Sequence, residues 1–162
     1  MIRTILVALD GSTRAPGVYD AAAEIAERFG ATLQPLRAIS VPPEFPAAAA
    51  GSRTDPLPMH MAEEAAGAIA RIVSSVPPRN VLSRSPIVRA GEPWRLIIEV
   101  SDEIGADLIV IGSHGYHGLD RLLGTTAARV ANVAHRNVLV VHEHAEPGGA
   151  ARREGAPYRG GP

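Results

Sequence analysis

The sequence predicts a parallel α/β sheet covered by helices, and three observations predict it. Short apolar runs alternate with amphipathic stretches along the 162 residues, the pattern left by strands joined through crossover helices. The segment Asp107-Leu108-Ile109-Val110-Ile111 is almost continuously apolar, as a strand buried on both faces must be. Hydrophobic residues make up 46% of the chain, which at this length supports one core without covalent staples.

The first strand is expected over Thr4 to Leu9. A helix follows, opened by Ser12 or Thr13 as N-cap, with Pro16 tolerated in the first turn. Its apolar positions Val18, Ala22, Ile25 and Phe29 recur at helical spacing, and Gly30 supplies the stop. The second strand spans Thr32 to Ile39. Pro35 within it lacks a ladder donor, so a bulge or a shortened strand is expected there. Residues 42 to 58 hold five prolines and read as a flexible loop. A second helix spans Met59 to Ser75, with Ala62, Ala65, Ala66, Ile69 and Val73 on one face, and Pro77-Pro78 closes it. Ser85 to Arg89 is the third strand. Gly91-Glu92-Pro93 turns the chain into a helix to Ile104 that buries Leu96, Ile97 and Val100. After the strand ending at Ile111 come a glycine-rich connection, a helix from Thr126 to His135, and a last strand from Asn137 to His142. The expectation is five strands and four helices in one domain, residues 1–144. From Ala145 on, five glycines and three prolines in 18 residues carry no apolar period, so 145–162 reads as a disordered tail.

Composition excludes several classes of function. There is no cysteine, hence no disulfide framework, thiolate nucleophile or Cys-built zinc site. All 16 basic side chains are arginine, so a P-loop lysine or a Schiff-base lysine is impossible. A net charge of -1 gives no electrostatic footprint for nucleic acid or an anionic membrane. The opening apolar stretch is short and ends at Asp10, which marks a buried strand rather than a signal peptide. No apolar run approaches the ~20 residues of a membrane span, and a cytoplasmic location is expected.

The chemistry concentrates between Gly112 and Thr126. This segment leaves the carboxyl end of a buried strand and enters a helix, the place where open α/β sheets bind ligands. Gly112 and Gly115 allow close backbone approach. Gly124-Thr125-Thr126 places N–H groups and two hydroxyls at a helix N-terminus, which suits phosphate. Together they form a clamp that needs no lysine. His114 and His117 lack companions at metal-site spacing, so no metal site is expected, and no residues pair as base and nucleophile.

Gly112-x-x-Gly115, a spacer and then Gly124-Thr125 resembles the G-x2-G-x9-G-[ST] ATP-binding motif of the universal stress protein family. Ile5-Leu6-Val7-Ala8-Leu9-Asp10-Gly11-Ser12 is similar to that family's first strand and its acidic end, and Asn137-Val138-Leu139-Val140-Val141 to its last. The resemblance covers residues 2 to 142. It implies a doubly wound, Rossmann-like five-stranded sheet of order 3-2-1-4-5, binding ATP with magnesium at slow or absent hydrolysis. It also implies a homodimer through the final strand, Asn137-His142. Carried over by residue, Asp10 would contact the adenosine, Ala38 would offer backbone groups to adenine, and Ile111 and Gly112 would line the ribose. Gly115, Gly124, Thr125 and Thr126 would hold the phosphates. One departure stands out: the spacer Tyr116 to Leu123 holds eight residues where the family motif has nine. Two alternatives stay open beside ATP binding. One is a dimer that acts through protein contacts without nucleotide. The other is a nucleotidyl transferase or ATP pyrophosphatase, against which Asp10-Gly11-Ser12-Thr13 counts, since such enzymes carry a histidine signature or a Ser-Gly-Gly loop there.

Overall fold

The computed structural model describes residues 1–39, 59–113 and 124–142. Within them the strands are β1 (Thr4–Ala8), β2 (Thr32–Ile39), β3 (Leu82–Ser83), β4 (Ile87–Ala90), β5 (Leu108–Gly112) and β6 (Asn137–Val141). The helices are α1 (Ala15–Phe29), α2 (Met59–Ser75), α3 (Pro93–Glu103) and α4 (Thr125–Val133). The sheet runs β3-β2-β1-β5-β6, with β4 also paired to β2, and every pairing is parallel. This is the expected doubly wound order, with the third position filled by two short strands.

Alternation along the strands sorts the core onto two faces. Ile5, Val7, Leu9, Leu33 and Val110 pack with Val18, Ala22, Ala26 and Ile69, under α1 and α2. Leu6, Leu36, Ile109 and Ile111 pack with Ile97, Val100, Ala127 and Val130, under α3 and α4. Helix α1 turns Ala15, Val18, Tyr19, Ala22, Ala23 and Ala26 inward, and these small residues let it lie close to the sheet. Gly112 records the closeness, because a Cβ there would meet Val18 Cγ2 at 3.0 Å.

The third strand differs from expectation. Instead of one run from Ser85 to Arg89, the edge breaks into β3 and β4. One cause is Pro86, which stands in the gap and has no N–H to give a ladder; the other lies in β2. Thr32 N donates to Arg3 O, and Leu36 O accepts from Leu9 N, so the even-numbered peptide groups of β2 face β1 and the odd-numbered ones face outward. Pro35 therefore lacks its donor on the outer side. Register shows the same defect: Leu33 pairs with Ser83 but Leu36 with Ile87, so the outer chain takes an extra residue opposite the proline. Buried Gln34 bridges the gap, its Nε2 donating to Pro35 O at 3.2 Å and Ser85 O at 2.8 Å. The bulge expected for β2 thus falls on its neighbour, and β2 itself runs its full length to Ile39.

Helix ends bring three smaller corrections. The N-cap of α1 is Arg14, which makes no side-chain cap bond, rather than Ser12 or Thr13. Ser12 N and Oγ both donate to Asp10 Oδ1, and its Oγ accepts from Arg14 N at 3.3 Å, one residue before the helix begins. Phe29, expected on the buried face of α1, is 56% exposed, at the last residue before the left-handed Gly30. Helix α4 ends at Val133 rather than His135, where Ala134 turns extended (ψ 136°). Beyond the end of α4, Arg136 pairs with Asp102.

At the opposite end of the sheet from the site, Asp107 Oδ2 accepts from Arg3 N at 2.8 Å and Thr4 N at 3.0 Å. These two backbone donors hold its carboxyl below the ordinary 3.8. Among the described residues no helix is long and apolar enough to cross a membrane. The loop 42–58 and the tail from Ala145 lie outside the described residues.

Candidate functional site

β1 connects to its neighbour β2 on one side, whereas β5 and β6 lie on its other side. The chain direction across the sheet therefore reverses between β1 and β5, and the strand ends part there to leave a crevice. A cleft of about 720 Å³ occupies this point, within the ~300–1,000 Å³ usual for small-molecule sites. Its floor is the carboxyl ends of β1, β2 and β5. One wall is the β1–α1 turn with the first residues of α1, and the other carries Pro93, Ile97, Thr126 and Ala127 from α3 and α4.

Asp10, Ala38, Ile111, Gly112 and Thr126 all line this cleft, so five of the eight residues singled out from sequence come together. Asp10 lies two residues past the end of β1, its Oδ1 accepting from Ser12 N at 2.9 Å and Ser12 Oγ at 2.6 Å. That turn fixes the carboxylate at the strand end rather than on α1. The peptide groups of Ala38 face the same side as those of Leu36, and project past the end of β1 at Ala8. Gly112 serves two demands, since it lines the cleft and also admits Val18. Gly124 caps α4, its carbonyl accepting from Ala128 N at 2.9 Å. Thr125 opens that helix but is exposed, and Thr126 is the hydroxyl on the cleft wall. Gly115, with His114, His117, Arg121 and the eight-residue spacer, lies outside the described residues.

Three features were not foreseen. Arg14 and Arg37 both line the cleft, so a site read as a clamp that needs no lysine has two arginines at hand. No local pattern marks Arg37 within β2. Secondly, His142 follows β6 and joins the lining. Thirdly, the first turns of α3 and α4 are clasped together. Glu92 Oε1 accepts from Trp94 Nε1 and from Arg129 Nη1 at 2.8 Å, while the Arg95 and Arg129 guanidinium carbons lie 5.3 and 5.6 Å from the Trp94 ring centre. This clasp holds Pro93 and Ile97 beside Thr126. Among the described residues no group of three His, Cys, Asp or Glu could hold a metal ion.

Fold and cleft together define a doubly wound α/β domain with a ligand-sized site at its switch point. The chain belongs to the universal stress protein family, whose model matches residues 1–142. It is 35% identical over 141 residues to universal stress protein A homolog 1 of Coxiella burnetii, covering 85% of this chain and 94% of that protein. Two solved structures share the fold at 27% identity. One is a universal stress protein in complex with cAMP, with TM-score 0.58 over 87% of this chain and 97% of that one. The other is the Archaeoglobus fulgidus universal stress protein in complex with dAMP, with TM-score 0.57 over 86% of this chain and 98% of that one.

Proposed function

We propose that the cleft binds an adenine nucleotide, ATP with magnesium foremost, and that the protein is a nucleotide-sensing regulatory module of the stress response with slow or no hydrolysis. The observation that carries this reading is the convergence of Asp10, Ala38, Ile111, Gly112 and Thr126 on one switch-point cleft. The adenine nucleotides bound to the two related proteins support it.

The roles proposed are those that the family resemblance implies. The backbone of Ala38 meets the base, Asp10 the adenosine, and Ile111 and Gly112 the ribose. The first turn of α4, with Thr126, takes part of the phosphate chain through N–H groups and a hydroxyl. Magnesium enters as the partner of the phosphates, since the described residues offer it no side-chain cluster of their own. The protein is further proposed to be cytoplasmic and to form a homodimer through β6.

Heating the purified protein and identifying any released nucleotide, followed by calorimetry with Mg-ATP, tests the reading. Binding at micromolar to submillimolar concentration is expected. Thr126→Ala should weaken it by about 1.5–3 kcal/mol, the worth of a hydrogen bond to a charged group. Absence of adenine-nucleotide binding at millimolar concentration would sink the reading. The function would then rest on protein contacts.

A further inference from the structure

We propose that Glu92 is a positioning residue that sets the spacing between the base end and the phosphate end of the cleft, and so selects adenine nucleotides over adenosine. The proposal rests on the nucleotide reading above and deepens it. Glu92 does not itself line the cleft; it acts through Arg129 on the first turn of α4.

Glu92 is the N-cap residue of α3 but makes no side-chain cap bond to that helix. Its carboxylate turns sideways instead. Oε1 accepts from Arg129 Nη1 at 2.8 Å and from Trp94 Nε1, while Oε2 lies 3.0 Å from Arg95 Nε. Arg129 also lies over the Trp94 ring. A lone exposed ion pair is worth little, but here one carboxylate gathers three donors into a network, which holds its members in one geometry.

Helix α4 has need of such a hold. Its buried side chains are Ala127 and Val130, which set its depth on the sheet but resist roll and slide only weakly, since apolar contact is non-directional. Thr126, on the cleft wall, and Arg129 stand three residues apart on one side of α4. Fixing Arg129 therefore fixes where Thr126 and the first-turn N–H groups point. At the other end, Gly91 N donates to Ile39 O at 2.9 Å, one residue beyond Ala38 on β2. Gly91 turns the chain there at φ 146°, a conformation open to glycine at little cost. An unbroken line of contacts thus leads from Ala38 through Ile39, Gly91, Glu92 and Arg129 to Thr126. A ligand with both a base and phosphates spans that line, whereas adenosine engages only its first end.

Calorimetry of the parent, Glu92→Ala, Glu92→Gln and Arg129→Met with adenosine, AMP and Mg-ATP tests this. In Glu92→Ala, affinity for AMP and Mg-ATP should fall about three- to tenfold while adenosine stays within twofold. Arg129→Met should reproduce the pattern, and the double variant should lose no more than either change alone, as coupled residues do. Glu92→Gln removes the same charge as Glu92→Ala but keeps an acceptor, so it should recover part of the loss. Arg89→Met breaks the pair with Glu103 at the last residue of α3 and controls for a general loosening; it should leave the ratio of ATP to adenosine affinity unchanged. Hydrogen exchange without ligand adds a direct reading. The Ala128 amide, which donates to Gly124 O at 2.9 Å, should exchange faster in Glu92→Ala than in the parent. Equal losses for adenosine and nucleotides, unaltered affinities, additive losses in the double variant or unaltered exchange would each overturn the proposal and leave the nucleotide reading intact. A parent that binds no adenine nucleotide would overturn both.

Discussion

The two edges of the sheet are built on opposite plans. On one side the edge is cut into β3 and β4, two and four residues long, with an extra residue where they fail to join. On the other, β6 runs five residues without a break, apolar from Val138 to Val141, and its outer side has no partner among the described residues. A broken edge offers a neighbouring chain no continuous ladder, whereas an unbroken apolar one invites pairing. The difference teaches that an edge can be disabled partly from within. Pro35 and Gln34 on the adjacent strand act on the outer edge at the gap where that edge carries its own Pro86.

The largest effect should appear in assembly. Ser113 N donates to Val141 O, so the odd-numbered peptide groups of β6 face β5, and those of Val138 and Val140 face outward. If this edge pairs with a second copy, sedimentation at micromolar concentration should report twice the 17.0 kDa chain mass. Val138→Pro, which deletes one outward donor, should give monomer with native helix content. A monomeric parent would break the contrast, because both edges would then be equally inert.

The interrupted edge is tested at Gln34. Truncation to alanine leaves the carbonyls of Pro35 and Ser85 without their donor in a buried setting, at a cost of about 1–3 kcal/mol. Urea unfolding should show a lower midpoint at unchanged slope. An unaltered midpoint would mean that the break persists without the amide bridge.

The smallest effect is expected at Asp107, which ties β5 to the start of β1 and whose carbonyl accepts from Asn137 Nδ2 at the start of β6. Its carboxyl lies below the ordinary 3.8 in the folded chain. A depressed carboxylate contributes stability that is complete above the unfolded value and is lost as pH falls through the folded one. Melting temperature should therefore decline as pH drops below about 4. Asp107→Asn should be less stable at neutral pH and should flatten that decline. A parent and variant with parallel acid profiles would remove Asp107 from the account.

Much of the architecture is legible in the chain because the signals are local. Continuous apolar runs at Thr4–Ala8 and Leu108–Gly112, period 3.6 in α2 and α3, and Gly30 after α1 each act within a few residues. The end of β1 at Asp10 and the glycine-rich exit from β5 pointed to one end of the sheet for the same reason, and the cleft lies there. The misses are instances of competition. Ser12 reads as a helix cap, but its Oγ accepts from Arg14 N within the Asp10 turn, and the helix opens only at Ala15. Phe29 fits the helical period but falls where the chain turns away from the core at Gly30.

By itself, then, the sequence determined the order of strands and helices, the family resemblance, and the end of the sheet that carries a site, because periodicity and turn chemistry are read over short windows. Only the tertiary structure decided which side chains face one another across elements. It split the third strand opposite Pro35, set Gly112 against Val18, and joined Glu92 to Arg129. Such pairings depend on register and on the distance between surfaces, and no window along one strand contains either.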